Sequence, residues 1–147
     1  MITKENGILT KIPPGKRYQL MGEVLSLMLA SEFHQPYLIN DFGTAMLVPI
    51  HFNQFRLYKK NQTPIGFVSW AFLSKDIAEK YRQGNYHLTF NDWKSGDELW
   101  FIDFIAPYGN IRSIVKDMKT NVFPDKDIAN SLRYKSNGDG KKIMTFR

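Results

Sequence analysis

Leu99-Trp100-Phe101-Ile102-Asp103-Phe104-Ile105-Ala106 is almost wholly apolar and carries one charge, Asp103. Such a short apolar run, rich in aromatic and branched residues, predicts a strand buried on both faces. Strand alternation puts Leu99, Phe101 and Ile105 on the same face as Asp103. An ionised carboxylate there loses its water, so it must be ion-paired, hydrogen-bonded or set at the lip of a cleft. Two readings are open. Asp103 is either a structural carboxylate held by backbone amides or an arginine, or the group that orients a catalytic histidine.

The neighbouring segments give the strand its context. Leu20, Met21, Val24, Leu25, Met28 and Leu29 recur at helical spacing, which predicts an amphipathic helix over 18–30 despite Gly22, ending near Ser31 because Pro36 follows. Ala45 to Ile50 reads as a short apolar strand, at an edge or bulge because of Pro49. Phe55 to Lys59 and Ile65 to Phe72 flank a turn at Lys60–Pro64, a hairpin. Ser74 is a good N-cap for a short helix over 75–83, closed by Gly84. Ile111 to Val122 reads as a basic helix stopped by Pro124, and Ile128 to Tyr134 with Lys142 to Phe146 frame a second hairpin. The order is one α helix, two strands, helix, strand, helix, two strands: a single α/β or α+β layered domain. Residues 1–17, with Gly7, Pro13, Pro14 and Gly15, read as a flexible lead, leaving 18–147 as the folded domain.

Composition bounds the chemistry. The chain has 147 residues and no cysteine, which excludes disulfides, thiol nucleophiles and thiolate metal sites. His34, His51 and His87 are the three histidines, without a metal-ligand spacing, so no metal is expected. No segment has the length of an apolar membrane span, and the first residues have no signal-peptide core, which predicts a cytoplasmic protein. The net charge of +6 is uneven: +3 over residues 1–60, −2 over 61–110 and +5 over 111–147. Basic ends suit an acidic partner, whether nucleic acid, anionic lipid or protein.

His34 falls in the turn beyond the first helix and is the candidate partner of Asp103; a helix C-terminus favours the protonated form of an imidazole there. Ser31, three residues earlier, could cap that turn or hold the ring, and no GxSxG motif marks it as a nucleophile. His51 and His87 read as ordinary surface or packing histidines. Lys135 to Gly140 superficially approaches a coenzyme A phosphate loop, but a strand follows it rather than a helix, so it reads as a hairpin turn.

Ser31-Glu32-Phe33-His34, the run IGFVSWAFLS (65–74), the run DWKSGDELWFIDFIAPYG (92–109) and the basic helix ending in Phe123-Pro124 together resemble the RTX toxin-activating lysine acyltransferases. The resemblance covers most of the chain, although Glu32-Phe33 stand where some members have Pro-Leu. It implies a single domain like the GNAT acyltransferases, with a central mixed or antiparallel sheet flanked by helices. It also implies a cytoplasmic enzyme with no bound cofactor, which takes a fatty acyl group from acyl carrier protein and transfers it to internal lysines of an RTX protoxin. The family's histidine and aspartate fall on His34 and Asp103, and its serine on Ser31. Arg112, Lys116 and Lys119 are the candidate contacts for an acidic acyl carrier protein, and a homodimer is possible. Trp70, Phe72, Trp100 and Phe101 are candidate acyl-chain lining or simply core. A coenzyme A-dependent GNAT-type N-acyltransferase is the alternative, and a basic nucleic-acid-binding module a further one.

Overall fold

The computed structural model describes residues 14–134 and 141–146. Five strands hydrogen-bond in the order β1-β2-β3-β4-β5: β1 (Phe55–Lys60), β2 (Thr63–Leu73), β3 (Glu98–Ile105), β4 (Ala129–Tyr134) and β5 (Lys141–Phe146). β1/β2 and β4/β5 are antiparallel and β3/β4 is parallel, so the sheet is mixed and the fold is α+β. By compactness the chain divides into two units: residues 1–69 with 103–124, and residues 70–102 with 125–147.

In the first unit, helix α1 (Pro14–Leu29) starts earlier than its apolar spacing indicates, because proline suits the first turn of a helix. Its buried face, Leu20, Val24, Leu27 and Met28, packs in one core with Phe55, Leu57, Phe67 and Ile105. The strand expected over 45–50 is instead helical: α2 (Ile39–Asp41) runs into a π-helical turn (Phe42–Leu47) and then α3 (Val48–His51). Met46, Pro49 and Ile50 are the buried positions, a helical interval rather than alternation. Pro49 lies in the first turn of α3, directly after the π-helical turn. A short apolar run does not by itself separate the two periods.

The first hairpin is as expected, but its turn is tighter: Lys60 pairs with Thr63, and Asn61 and Gln62 both have positive φ (50° and 69°). Two left-handed residues match the twist of the strands they join. Gly66 lets helix α5 (Ile111–Asp117) approach β2, since a Cβ there would lie 2.6 Å from Ile114 Cδ1. α5 continues as a π-helical turn (Met118–Val122), and Asp117 anchors it: the carboxylate accepts from Tyr58 Oη at 2.5 Å and from Asn121 Nδ2 at 2.8 Å, with Arg56 Nε at 3.4 Å. Burial, and then the Asp117 carboxylate, push the Tyr58 hydroxyl far above its ordinary value.

In the second unit, Ser74 Oγ accepts from Ile77 N and caps α4 (Lys75–Arg82), as its sequence indicates. A 3-10 turn (Phe90–Trp93) follows. Asp92 Oδ2 there accepts from Tyr86 Oη at 2.6 Å and Thr89 N at 2.8 Å. Burial pushes the Asp92 carboxyl up, but those hydrogen bonds and the charge of Lys80 outweigh it and hold it below its usual value. The next turn docks on the end of β2: Ser95 N and Gly96 N both donate to Phe72 O, and Ser74 N donates to Ser95 Oγ. The β4/β5 hairpin pairs Ala129 with Phe146 through to Tyr134 with Lys141. The turn expected at 135–140 lies outside the described residues.

Gly96 has no room for a side chain. A Cβ would stand 2.5 Å from Ser74 Cα and 2.6 Å from Leu73 O, both backbone atoms that have little room to move. Gly96→Ala is therefore expected to lower stability by about 2–3 kcal/mol. Urea unfolding should show a lower midpoint at an unchanged slope.

Candidate functional site

The site is built on the turn that ends α1 and on the last three residues of β3, Asp103 to Ile105, both within the first unit. Ser31 N donates to Met28 O, His34 N and Gln35 N to Ser31 O, and Tyr37 N to His34 O. These bonds coil 31–37 tightly, so Ser31 and His34 stand on one side of the turn. Along β3 the odd positions Leu99, Phe101, Asp103 and Ile105 are all buried, as alternation requires. Asp103 N donates to Ser69 Oγ on β2 at 3.1 Å, a wholly buried hydroxyl.

His34 and Asp103 meet. His34 Nε2 lies 2.8 Å from Asp103 Oδ1, with the two side chains only 4% and 6% exposed. Ser31 Oγ lies 2.7 Å from His34 Nδ1. A carboxylate only accepts, so Nε2 carries the proton it donates to Asp103. In the neutral ring Nδ1 is then an acceptor, and the Ser31 hydroxyl donates to it. The imidazole is thus fixed in orientation and tautomer, with one nitrogen able to gain a proton and a carboxylate opposite to offset the charge.

Two further groups complete this arrangement. Tyr37 Oη lies 3.4 Å from Asp103 Oδ1, and its ring packs on His34 with centroids 5.1 Å apart. The Phe33 ring stands edge-on to His34 at 5.0 Å. The hydroxyls of Tyr37 and Ser69 were not singled out from sequence. The signal available was position: Tyr37 lies one turn beyond His34, and Ser69 sits in the strand preceding the enclosed one.

The other candidates lie elsewhere. Arg112 and Lys116 are exposed on α5 and Lys119 on the π-helical turn after it, at intervals of four and three. Trp70, Phe72, Trp100 and Phe101 belong to the second unit. Trp100 is fully buried, edge-on to Tyr81 at 5.3 Å and under the Arg82 guanidinium at 5.2 Å, and Phe72 carries Lys126 Nζ over its ring at 5.6 Å. Trp100 and Phe101, being adjacent in β3, face opposite sides of the sheet. His51 and His87 are exposed. Among the described residues no three His, Asp or Glu side chains are grouped to hold a metal ion, and no helix is long and apolar enough to cross a membrane.

A Ser–His–Asp chain of hydrogen bonds thus joins the end of the opening helix to an enclosed strand, and comparison with known proteins gives the family. The profile of the RTX toxin acyltransferase family matches residues 14–147. The chain belongs to that family. It is 35% identical over 125 residues to the leukotoxin-activating lysine-acyltransferase LtxC of Aggregatibacter actinomycetemcomitans, covering 84% of this chain and 73% of that protein. It is 34% identical over 129 residues to the RTX-I toxin-activating lysine-acyltransferase ApxIC of Actinobacillus pleuropneumoniae, covering 88% and 74%. An uncharacterised protein of Synechocystis sp. is 34% identical over 128 residues, covering 86% and 85%.

Asp103→Ala strands the His34 Nε2–H donor in a buried position. The variant is expected to keep its circular dichroism spectrum and to lose about 1–3 kcal/mol of stability in urea unfolding.

Proposed function

We propose that this protein is a protein-lysine acyltransferase that takes a fatty acyl group from acyl carrier protein and places it on internal lysines of an RTX protoxin. The single observation that carries the mechanism is the buried contact between His34 Nε2 and Asp103 Oδ1 at 2.8 Å. Family membership supports the reaction class, and LtxC and ApxIC are by name toxin-activating lysine-acyltransferases. The acyltransferase region starts with α1 at Pro14, four residues before the expected 18, and the family match covers 14–147. The reaction belongs to the cytoplasm, where acyl carrier protein is loaded.

The chemical need is specific. A lysine amine with an ordinary pKa of about 10.4 is only about 0.04% neutral at pH 7, and only the neutral amine attacks a thioester. His34 takes the amine proton at Nδ1, the nitrogen turned away from Asp103. Asp103 holds the ring and offsets the imidazolium charge. Ser31 occupies Nδ1 until the amine arrives. The new C–N bond forms, the C–S bond of the phosphopantetheine thioester breaks, and His34 returns its proton to the departing sulfur. Base catalysis of this kind supplies about 10²–10⁴ in rate.

The exposed cations have a place in this scheme. Arg112, Lys116 and Lys119 form a row that an acidic carrier protein would dock against, with an attraction that weakens as salt rises. Trp70, Phe72 and Phe101 remain the candidates for acyl-chain lining and Trp100 is a core position.

Two measurements test the proposal. With acyl-acyl carrier protein and an RTX protoxin, His34→Ala should lower the rate of lysine acylation by about 10²-fold or more, read by mass spectrometry of the protoxin. A wild-type rate in that variant would discard His34 as the base. Replacing Arg112, Lys116 and Lys119 together with Glu should raise KM for acyl-acyl carrier protein and flatten its salt dependence while leaving kcat near wild type. An unchanged KM would remove the α5 face from the docking surface.

A further inference from the structure

Asp103 has a second donor. Tyr37 Oη is within 3.4 Å of Oδ1, the same oxygen that accepts from His34 Nε2. Its backbone N–H donates to His34 O at 3.0 Å, and its ring lies tilted against the His34 ring with centroids 5.1 Å apart. The ring also packs against the core formed by α1, β1 and β3. One residue therefore touches the histidine through its backbone and ring, and the aspartate through its hydroxyl.

We infer that Tyr37 is a positioning residue for the His34–Asp103 pair, an assignment that rests on the mechanism proposed above. The carboxylate must stay aimed at Nε2 while His34 alternates between its neutral and protonated forms. A single hydrogen bond leaves Asp103 free to rotate about its Cα–Cβ bond when the ring shifts. A second donor on the same oxygen pins the carboxylate, and the tilted tyrosine ring pins the imidazole plane, so neither partner can turn without the other. Hydrogen bonds around catalytic groups are often long before substrate arrives and tighten in the reacting complex, and the 3.4 Å separation fits that pattern. Tyr37 makes no contact with the reacting atoms in this scheme; it acts through Asp103 and His34.

The test uses Tyr37→Phe, which keeps the ring and removes only the hydroxyl. Its kcat for lysine acylation should fall roughly tenfold, with KM for acyl-acyl carrier protein and protoxin unchanged, the size expected for losing one hydrogen bond to a charged group. With ¹⁵N-labelled histidine, the His34 Nε2–H resonance should shift or broaden in the same variant. Tyr18→Phe, on an exposed tyrosine of α1, is the control and should alter neither. A merely structural role would lower the unfolding midpoint without splitting kcat from KM. Wild-type kcat in Tyr37→Phe, or an unmoved His34 resonance, overturns the inference. If His34→Ala abolishes acylation while Tyr37→Phe changes nothing, the mechanism stands and only this assignment fails. Should the protein transfer no acyl group, the resonance alone decides whether Tyr37 positions the pair.

Discussion

A carboxylate on the enclosed face of β3 has to be supplied with donors as the chain folds. Stripping an ionised group of water costs several kcal/mol, and the interior repays that only when geometry and hydrogen bonds are good. In this protein the donors come from far along the sequence. His34 and Tyr37 arrive on the turn after α1, while on β2 Ser69 Oγ accepts from the Asp103 backbone N–H. The apolar face of α1 shares its core with Ile105, two residues beyond Asp103. Helix packing and hydrogen bonding therefore specify the same placement of the 31–37 turn, and His34 is held by forces that also stabilise the unit.

The motifs that carry the family resemblance divide by physical role. Ser31, His34 and Asp103 form the hydrogen-bonded site. Asp92, Ser95 and Gly96, from the same eighteen-residue run as Asp103, build a turn locked on the end of β2, where only glycine fits. Ser69 belongs to the apolar run before it and serves the backbone of Asp103.

Legibility from sequence followed the strength of each local signal. The β1/β2 hairpin, α4 with its Ser74 cap and the β3 strand were readable because period, cap and turn chemistry agreed at each. Asp103 stood out because one charge interrupted an otherwise apolar strand, and His34 because Pro36 forced a turn just after a helix. Residues 45–50 misled for the opposite reason: Met46, Pro49 and Ile50 are too few to separate helix from strand, and Pro49 was weighed as a strand breaker rather than a helix starter. Tyr37 and Ser69 were hidden because a hydroxyl's partner sixty-six or thirty-four residues away leaves no local trace.

The two compact units are interleaved along the chain: each is made of two segments, and the exchanges fall inside β2, between Ser69 and Trp70, inside β3, between Ile102 and Asp103, and between Pro124 and Asp125. No contiguous stretch consists of either unit alone. During synthesis the first unit cannot close until residue 124 has emerged, by which time most of the second is already outside the ribosome. Folding in order from the amino terminus, the usual habit of multi-part chains, is not open to this one. The half-made α1–β1–β2 portion must wait with His34 unmet, and a break anywhere inside residues 70–102 divides both units at once.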